Sequence, residues 1–300
     1  MKPAMARLHR ALGDGRVRFG GGVLVAMAVA VIVAPLVANG LGENGLAIDL
    51  YHRFAGPSLR HLLGTDELGR DLLLRLLQGG QISLLVGLTA ALAASLLGTA
   101  VGLAAGYYGG RLDAALMRLT DAVIALPLLP LLVVLAAIDL RKLGVPAELA
   151  DSQAASLYRI IVLVALVGWT TVARLVRGAT LSLVRRDFVR AAEALGARPA
   201  RIMLVHILPN LATPIIVATS LAVGEIILLE SVLSFLGLGV APPLASWGNM
   251  LTGAEETIAL APQLAFYPGA LIFLTVMACN LFGDGLQQAL DPRGSAGRGV

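Results

Sequence analysis

Three carboxylates, Asp121, Glu225 and Glu230, stand inside long apolar stretches of this chain. An ionised side chain within a membrane costs about 3 kcal/mol on insertion scales, so each is expected to face protein or water rather than lipid. Five residues at about 100° each put Glu225 and Glu230 about 140° apart around a helix, hence on different faces. Two roles fit them. One is a pathway or gate group that meets a cargo's amino group, and Glu230 is the better placed gate because it precedes Ser234-Phe235-Leu236-Gly237-Leu238-Gly239. The other is a buried partner for Arg174, Arg177 or a backbone amide. Other chemistry is excluded residue by residue. Gly64-Thr65-Asp66-Glu67-Leu68-Gly69-Arg70 has the glycines of a phosphate loop but is acidic and lacks the Lys-Ser/Thr pair. The four histidines, His9, His52, His61 and His206, form no His-Glu-x-x-His pair, and no Gly-x-Ser-Gly accompanies a membrane histidine. Cys279 is the single cysteine, so neither a disulfide nor a cysteine metal site forms within the chain. No catalytic residue, metal site or cofactor bound by the chain itself is expected.

The elements that position these carboxylates are set by composition. With 57% hydrophobic residues, 14% charged residues and a mean hydropathy of +0.83, the chain reads as an all-α polytopic membrane protein. The pI near 9.6 does not point to nucleic acid, because the basic residues are scattered without aromatic interleaving. A span needs about 20 mostly apolar residues. Six segments qualify, near Phe19 to Ala38, Ile82 to Tyr107, Ala114 to Ile138, Leu157 to Val176, Leu211 to Gly237 and Leu264 to Phe282. The expected division is a basic tail over residues 1–18, a six-helix domain over 19–287, and a second tail over 288–300. The first span is expected to be an uncleaved anchor. Placing the N-terminus in the cytoplasm puts sixteen Lys and Arg residues on that side and seven outside, a positive-inside bias that leaves both termini cytoplasmic in a bacterial inner membrane.

Ala90, Ala94, Gly98, Gly102, Gly106 and Gly110 recur every four residues, a small-residue stripe expected to receive another helix. Pro127 and Pro130 are expected to bend the third span. Outside, Leu68, Leu72 and Leu76 predict a helix lying in the membrane interface, and Trp247 an interfacial anchor.

One polar stretch faces the cytoplasm, Asp187 to Asn210. Gly196 and Pro199 should divide it into a helix over Phe188 to Leu195 and another over Ala200 to Leu208, with a protruding corner between. Ala191, Ala192 and Ala194 are small enough for a partner's groove, while Arg190, Glu193 and Arg198 offer charged contacts at its rim. This stretch resembles the coupling loop of ABC-importer permeases, which reads Glu-Ala-Ala, three residues, Gly, nine residues, Ile-x-Leu-Pro. Here Arg190-Ala191-Ala192, Gly196 and His206-Ile207-Leu208-Pro209 keep that spacing, with Arg190 and His206 departing from it. Leu63 to Asp71, Gln81 to Leu88, Ser234 to Gly239, Ser246 to Leu251 and Gly283 to Arg293 also resemble the C-type permease subunits of dipeptide and oligopeptide importers.

The resemblance implies the type I ABC importer permease fold and an ATPase-coupling loop at about 185–208 that includes Leu195 and Ala197. It also implies a heterodimer with a second permease subunit, two ATP-binding subunits that use ATP and Mg, and an outside peptide-binding protein. Asp66, Glu67, Arg70, Asp71, Trp247 and Asn249 are candidates for docking that protein. Peptides are the expected cargo, and relatives with these motifs also carry nickel chelates, haem or modified peptides. A secondary carrier using Asp121, Glu225 or Glu230 as proton sites is the rival, but it should show inverted repeats, which the chain lacks.

Overall fold

The computed structural model describes residues 13–40, 47–150 and 152–290. Expectations resting on Lys2, Arg7, Arg10, Arg293 and Arg298 fall outside the described residues. The chain builds helices α1 (Gly15–Gly40), α2 (Leu72–Tyr108), α3 (Gly110–Ala125), α4 (Leu128–Ala136), α5 (Gln153–Val184), α6 (Asp187–Ala194), α7 (Leu208–Phe235) and α8 (Gln263–Leu290). Five of the described helical stretches are long and apolar enough to cross a membrane, and α3 and α4 together pass the same test of length and composition, which makes six when that bent pair is counted as one span.

In lipid, helices associate by close packing rather than by escape from water. The small-residue stripe shows how. A Cβ at Gly98 would stand 2.5 Å from the carbonyl of Trp169, at Gly102 2.4 Å from that of Ala173, and at Gly106 2.6 Å from Cβ of Thr180. All three neighbours belong to α5, so α2 and α5 touch backbone to backbone from Gly98 to Gly106. Gly110 meets nothing within 4 Å, and the stripe's contact ends there. Above the stripe, Val86, Leu132, Ile160, Val164, Ile226 and Leu233 join α2, α4, α5 and α7 in one core.

The third span is broken rather than bent, by 87°. Pro127 has no N–H to continue α3, and it forces Leu126 before it into extended backbone (φ −77°, ψ 137°). Pro130 does not contribute to the break. It sits in the first turn of α4, where a missing N–H costs nothing.

Two further expectations change. Leu72 and Leu76 do not form the lipid-facing stripe of a separate helix; they open α2 and are buried against Trp247. The stretch Ala200 to Leu208 is not a separate helix either. A turn at Pro199–Arg201 passes through a π-helical turn at Ile202–Ile207 directly into α7. Pro209 explains the widened turn, because its ring would strike the Val205 carbonyl of a regular helix and its nitrogen has no proton to donate. Leu208 N–H instead donates to the Met203 carbonyl, and Asn210 Nδ2 donates to the His206 carbonyl at 2.7 Å.

Candidate functional site

At the end of the bundle where α5 stops, α6 forms the corner. Asp187 opens it, favourable beside a helix N-terminus. Gly196 closes it with φ +76°: the Ala197 N–H donates to the Ala192 carbonyl at 3.0 Å and the Gly196 N–H to that of Glu193 at 2.9 Å. That paired closure satisfies two carbonyls at the helix end and needs a left-handed residue, hence glycine.

The corner has two faces. Val189 and Ala192 turn inward onto Val176, Ile202, Ile207 and Leu211, so Ala192 seats the corner and is no part of its outer surface. Phe188, Ala191 and Leu195 form an exposed apolar line, with Leu195 88% exposed. Arg190, Ala194, Gly196 and Arg198 are exposed around it, and Ala197 is half-buried. Glu193 lies beside Tyr107 of α2. Phe188 carries much of the outer face but was not among the sequence candidates; its spacing to Ala191 and Leu195 is the signal that could have found it.

Two ion pairs tie α3 to α5 above this corner. Arg177 donates through Nε and a terminal nitrogen to both oxygens of Asp113, at 2.5 and 2.6 Å. Arg174 donates to Asp121 at 2.5 Å. The arginines considered as partners for Glu225 or Glu230 are thus held by the aspartates of the third span, and Asp121 is a clamp residue.

At the opposite end, Leu63 to Asp71 folds into a small cap. Asp66 is buried; its Oδ1 accepts from the Leu68 and Arg70 amides at 2.8 and 2.9 Å, and its Oδ2 from Arg70 Nε at 2.6 Å. Arg75, also buried, stands 3.4 Å from the same oxygen. Asp71 caps α2 through the Leu74 amide at 2.9 Å and meets His61 Nδ1 at 3.0 Å. Gly69 has φ +74°, and a Cβ there would fall 1.7 Å from the Asp49 carbonyl. The phosphate-loop-like glycine spacing is therefore the signature of a turn. Of Asp66, Glu67, Arg70 and Asp71, Glu67 alone is exposed.

Trp247 is not an interfacial anchor. It is 1% exposed, wedged over Leu72, Leu76 and Gly80, and its Nε1 donates to the Leu76 carbonyl at 2.8 Å. Asn249 is half-buried and fixes the same loop: Oδ1 accepts from the Ser246 amide, and Nδ2 donates to the carbonyls of Val240 and Leu244.

Glu230 holds this loop from below. It is fully buried, and its carboxylate accepts from Ser234 Oγ at 2.7 Å and from Ser83 Oγ of α2 at 3.3 Å. Those hydroxyls accept in turn from the Val240 amide at 3.2 Å and the Trp247 amide at 3.1 Å. Two serine relays thus run from one carboxylate to two points of the loop, which satisfies a group too costly to bury alone. Ser83 lies within Gln81 to Leu88, but nothing in the sequence signalled its pairing with a residue 147 positions away.

Glu225 stands elsewhere. It is exposed on the wall of a cavity of about 890 Å³ framed by the α3–α4 break, α5 and α7. Val, Leu and Ile dominate the wall, with Thr171, Thr213 and Gln287 among them; Thr170 also borders it, but is buried and donates its hydroxyl to the Val167 carbonyl at 3.2 Å. Glu230 is not on that wall. Among the described residues, no group of three or more His, Cys, Asp or Glu side chains could hold a metal ion.

Comparison with known proteins agrees with this architecture. The family described as "Binding-protein-dependent transport system inner membrane component" matches residues 98–295, which include the corner, the cavity wall and Glu230. The chain is 39% identical over 273 residues to the oligopeptide transport system permease protein OppC of Escherichia coli (strain K12), covering 90% of this chain and 85% of that protein. It is 36% identical over 271 residues to OppC of Bacillus subtilis (strain 168), covering 90% and 83%. It is 40% identical over 270 residues to the glutathione transport system permease protein GsiD of Escherichia coli O6:K15:H31 (strain 536 / UPEC), covering 90% and 84%. A six-span helical bundle, a protruding corner continuous with a cavity-lining helix, and likeness along nine-tenths of the chain have one reading: this multi-pass membrane protein belongs to the family of binding-protein-dependent inner membrane permeases, the type I permeases of ABC importers.

Proposed function

We propose that this chain is one of two permease subunits of an ATP-driven peptide importer, forming half of the pathway and binding no cofactor itself. The observation that carries the reading is mechanical. The corner at Asp187–Ala194 exposes an apolar line ringed by charge, and the chain beyond it runs without a break from Pro199 to Phe235 along the cavity wall. A partner that grips the corner therefore grips the pathway. The partner is one of two ATP-binding subunits, which hold ATP and Mg and seat Phe188, Ala191 and Leu195 in a groove with Arg190 and Arg198 at its rim. Closure of the ATP-binding subunits moves the corner and alternates access to the cavity.

The excess of Lys and Arg at the corner end supports its cytoplasmic placement, with both termini on that side. The cap around Glu67 and the loop braced by Trp247 and Asn249 then face outward, where a peptide-binding protein delivers cargo. Peptide cargo is supported by the oligopeptide and glutathione permeases among the relatives, and by a wall whose apolar residues tolerate varied side chains.

The test is reconstitution of this chain with its second permease, ATP-binding subunits and binding protein in proteoliposomes without an ion gradient. ATP-dependent accumulation of a labelled tripeptide is expected. Uptake that needs a proton or sodium gradient and ignores ATP would overturn the proposal.

A further inference from the structure

Four carboxylates of the third and fifth spans meet three different fates. Asp113 and Asp121 are held by Arg177 and Arg174, and Glu230 by two serine hydroxyls. Glu225 has no ion pair or hydrogen bond to any described side chain and is open to the cavity. It is also the single charged residue on the cavity wall. Glu225 lies ten residues before the end of α7, about 15 Å along the helix at about 1.5 Å per residue, and so deep within the span. A carboxylate there is stable only beside water or a cation.

We propose that Glu225 is the point on the pathway wall that receives the ammonium group at the amino end of the peptide. This rests on the peptide-importer reading above. The argument is one of charge and shape. A peptide presents one ammonium and one carboxylate at its ends, whatever its side chains. A wall carrying one negative charge and no positive one distinguishes those ends and orients the chain amino end toward α7. The cavity volume lies in the range of ligand pockets, and such pockets use a few placed polar groups against an apolar lining. Thr171, Thr213 and Gln287 add neutral hydrogen-bonding groups to the same wall, so the backbone is accommodated without selecting sequence. The low dielectric of the apolar lining strengthens a charge-assisted hydrogen bond to the ammonium group. The competing occupant is a Lys or Arg of the second permease, which would make Glu225 an assembly residue.

The assembled importer, without its binding protein, is titrated with trialanine and with des-amino trialanine, in wild type, Glu225→Gln and Glu225→Asp. Trialanine is expected to bind wild type about tenfold more tightly than the des-amino analogue, and Glu225→Gln to remove that difference by weakening trialanine alone. Glu225→Asp, which keeps the charge, should keep most of the preference. Recovery of the second permease and ATP-binding subunits should be equal for all three. Equal affinity for the two ligands in wild type would overturn the proposal. So would a Glu225→Gln importer that binds both less well or loses the second permease, the latter identifying the competing occupant. Failure of the peptide reading is separate: the wild-type importer would then accumulate no tripeptide with ATP and binding protein present.

Discussion

Replacing Leu195 by Asp tests the coupling corner with the least disturbance to the chain itself. Leu195 is 88% exposed and touches almost nothing of its own fold, so the substitution should leave the permease as stable as before. A partner groove that covers this side chain gains about 1.5–3 kcal/mol from burying a leucine, and an aspartate there forfeits that and adds a desolvated charge. Affinity for the ATP-binding subunit should fall by about 10- to 150-fold. The assay is titration of detergent-solubilised permease with that subunit, beside thermal unfolding of the permease alone. Val189→Asp is the control of opposite kind. Val189 is fully buried against Ile202, Ile207 and Leu211, and a carboxylate there should unseat the corner and lower the thermal midpoint. Unchanged binding by Leu195→Asp would refute the docking face. Loss of stability in that variant would refute the claim that the side chain serves a partner rather than the fold.

Gly102→Val forces side-chain atoms into the 2.4 Å gap to the Ala173 carbonyl and should cost about 1–3 kcal/mol of stability, read as a lower unfolding midpoint in detergent. Arg177→Lys keeps the charge but loses the two-pronged grip on Asp113; about 1 kcal/mol of destabilisation is expected, and Asp113→Asn in the Lys background should add little. Glu230→Ala leaves the Ser83 and Ser234 hydroxyls without their acceptor, and hydrogen exchange at the Val240 and Trp247 amides should accelerate about tenfold or more, with the corner amides unaffected.

Features governed by neighbours along the chain were legible from the residues. The small-residue stripe from Ala90 to Gly106 declared a close helix contact, Pro127 declared an interruption, and Gly196 followed by Pro199 declared the end of a short helix. Features governed by distant neighbours were not. Trp247 resembles an interface anchor because aromatic residues are common at that depth, yet its fate is decided by the hollow over Leu72 and Gly80, far away in sequence. The acidic cap suffered likewise: Asp66 and Asp71 look like surface charges until Arg70, Arg75 and the start of α2 fold around them. Even the π-helical turn had a local cause in Pro209, but proline equally ends helices, and the carbonyls satisfied through Leu208 and Asn210 decide between ending and widening.

The unbroken run from Pro199, just past the corner, to Phe235 has a mechanical consequence. Pro199 to Phe235 spans 37 residues, about 55 Å at about 1.5 Å each. Its close crossings with other helices centre on Gly224, where a Cβ would be 3.1 Å from that of Cys279 in α8, with Leu221 filling the space beside Gly283 in α8 and Ile227 that beside Gly87 in α2. A rod rocking on that fulcrum has an input arm of about 38 Å and an output arm of about 17 Å. Travel is roughly halved between the Pro199 end and the Phe235 end, and force is roughly doubled. Such gearing favours force over travel at the end that carries Glu230 and Ser234.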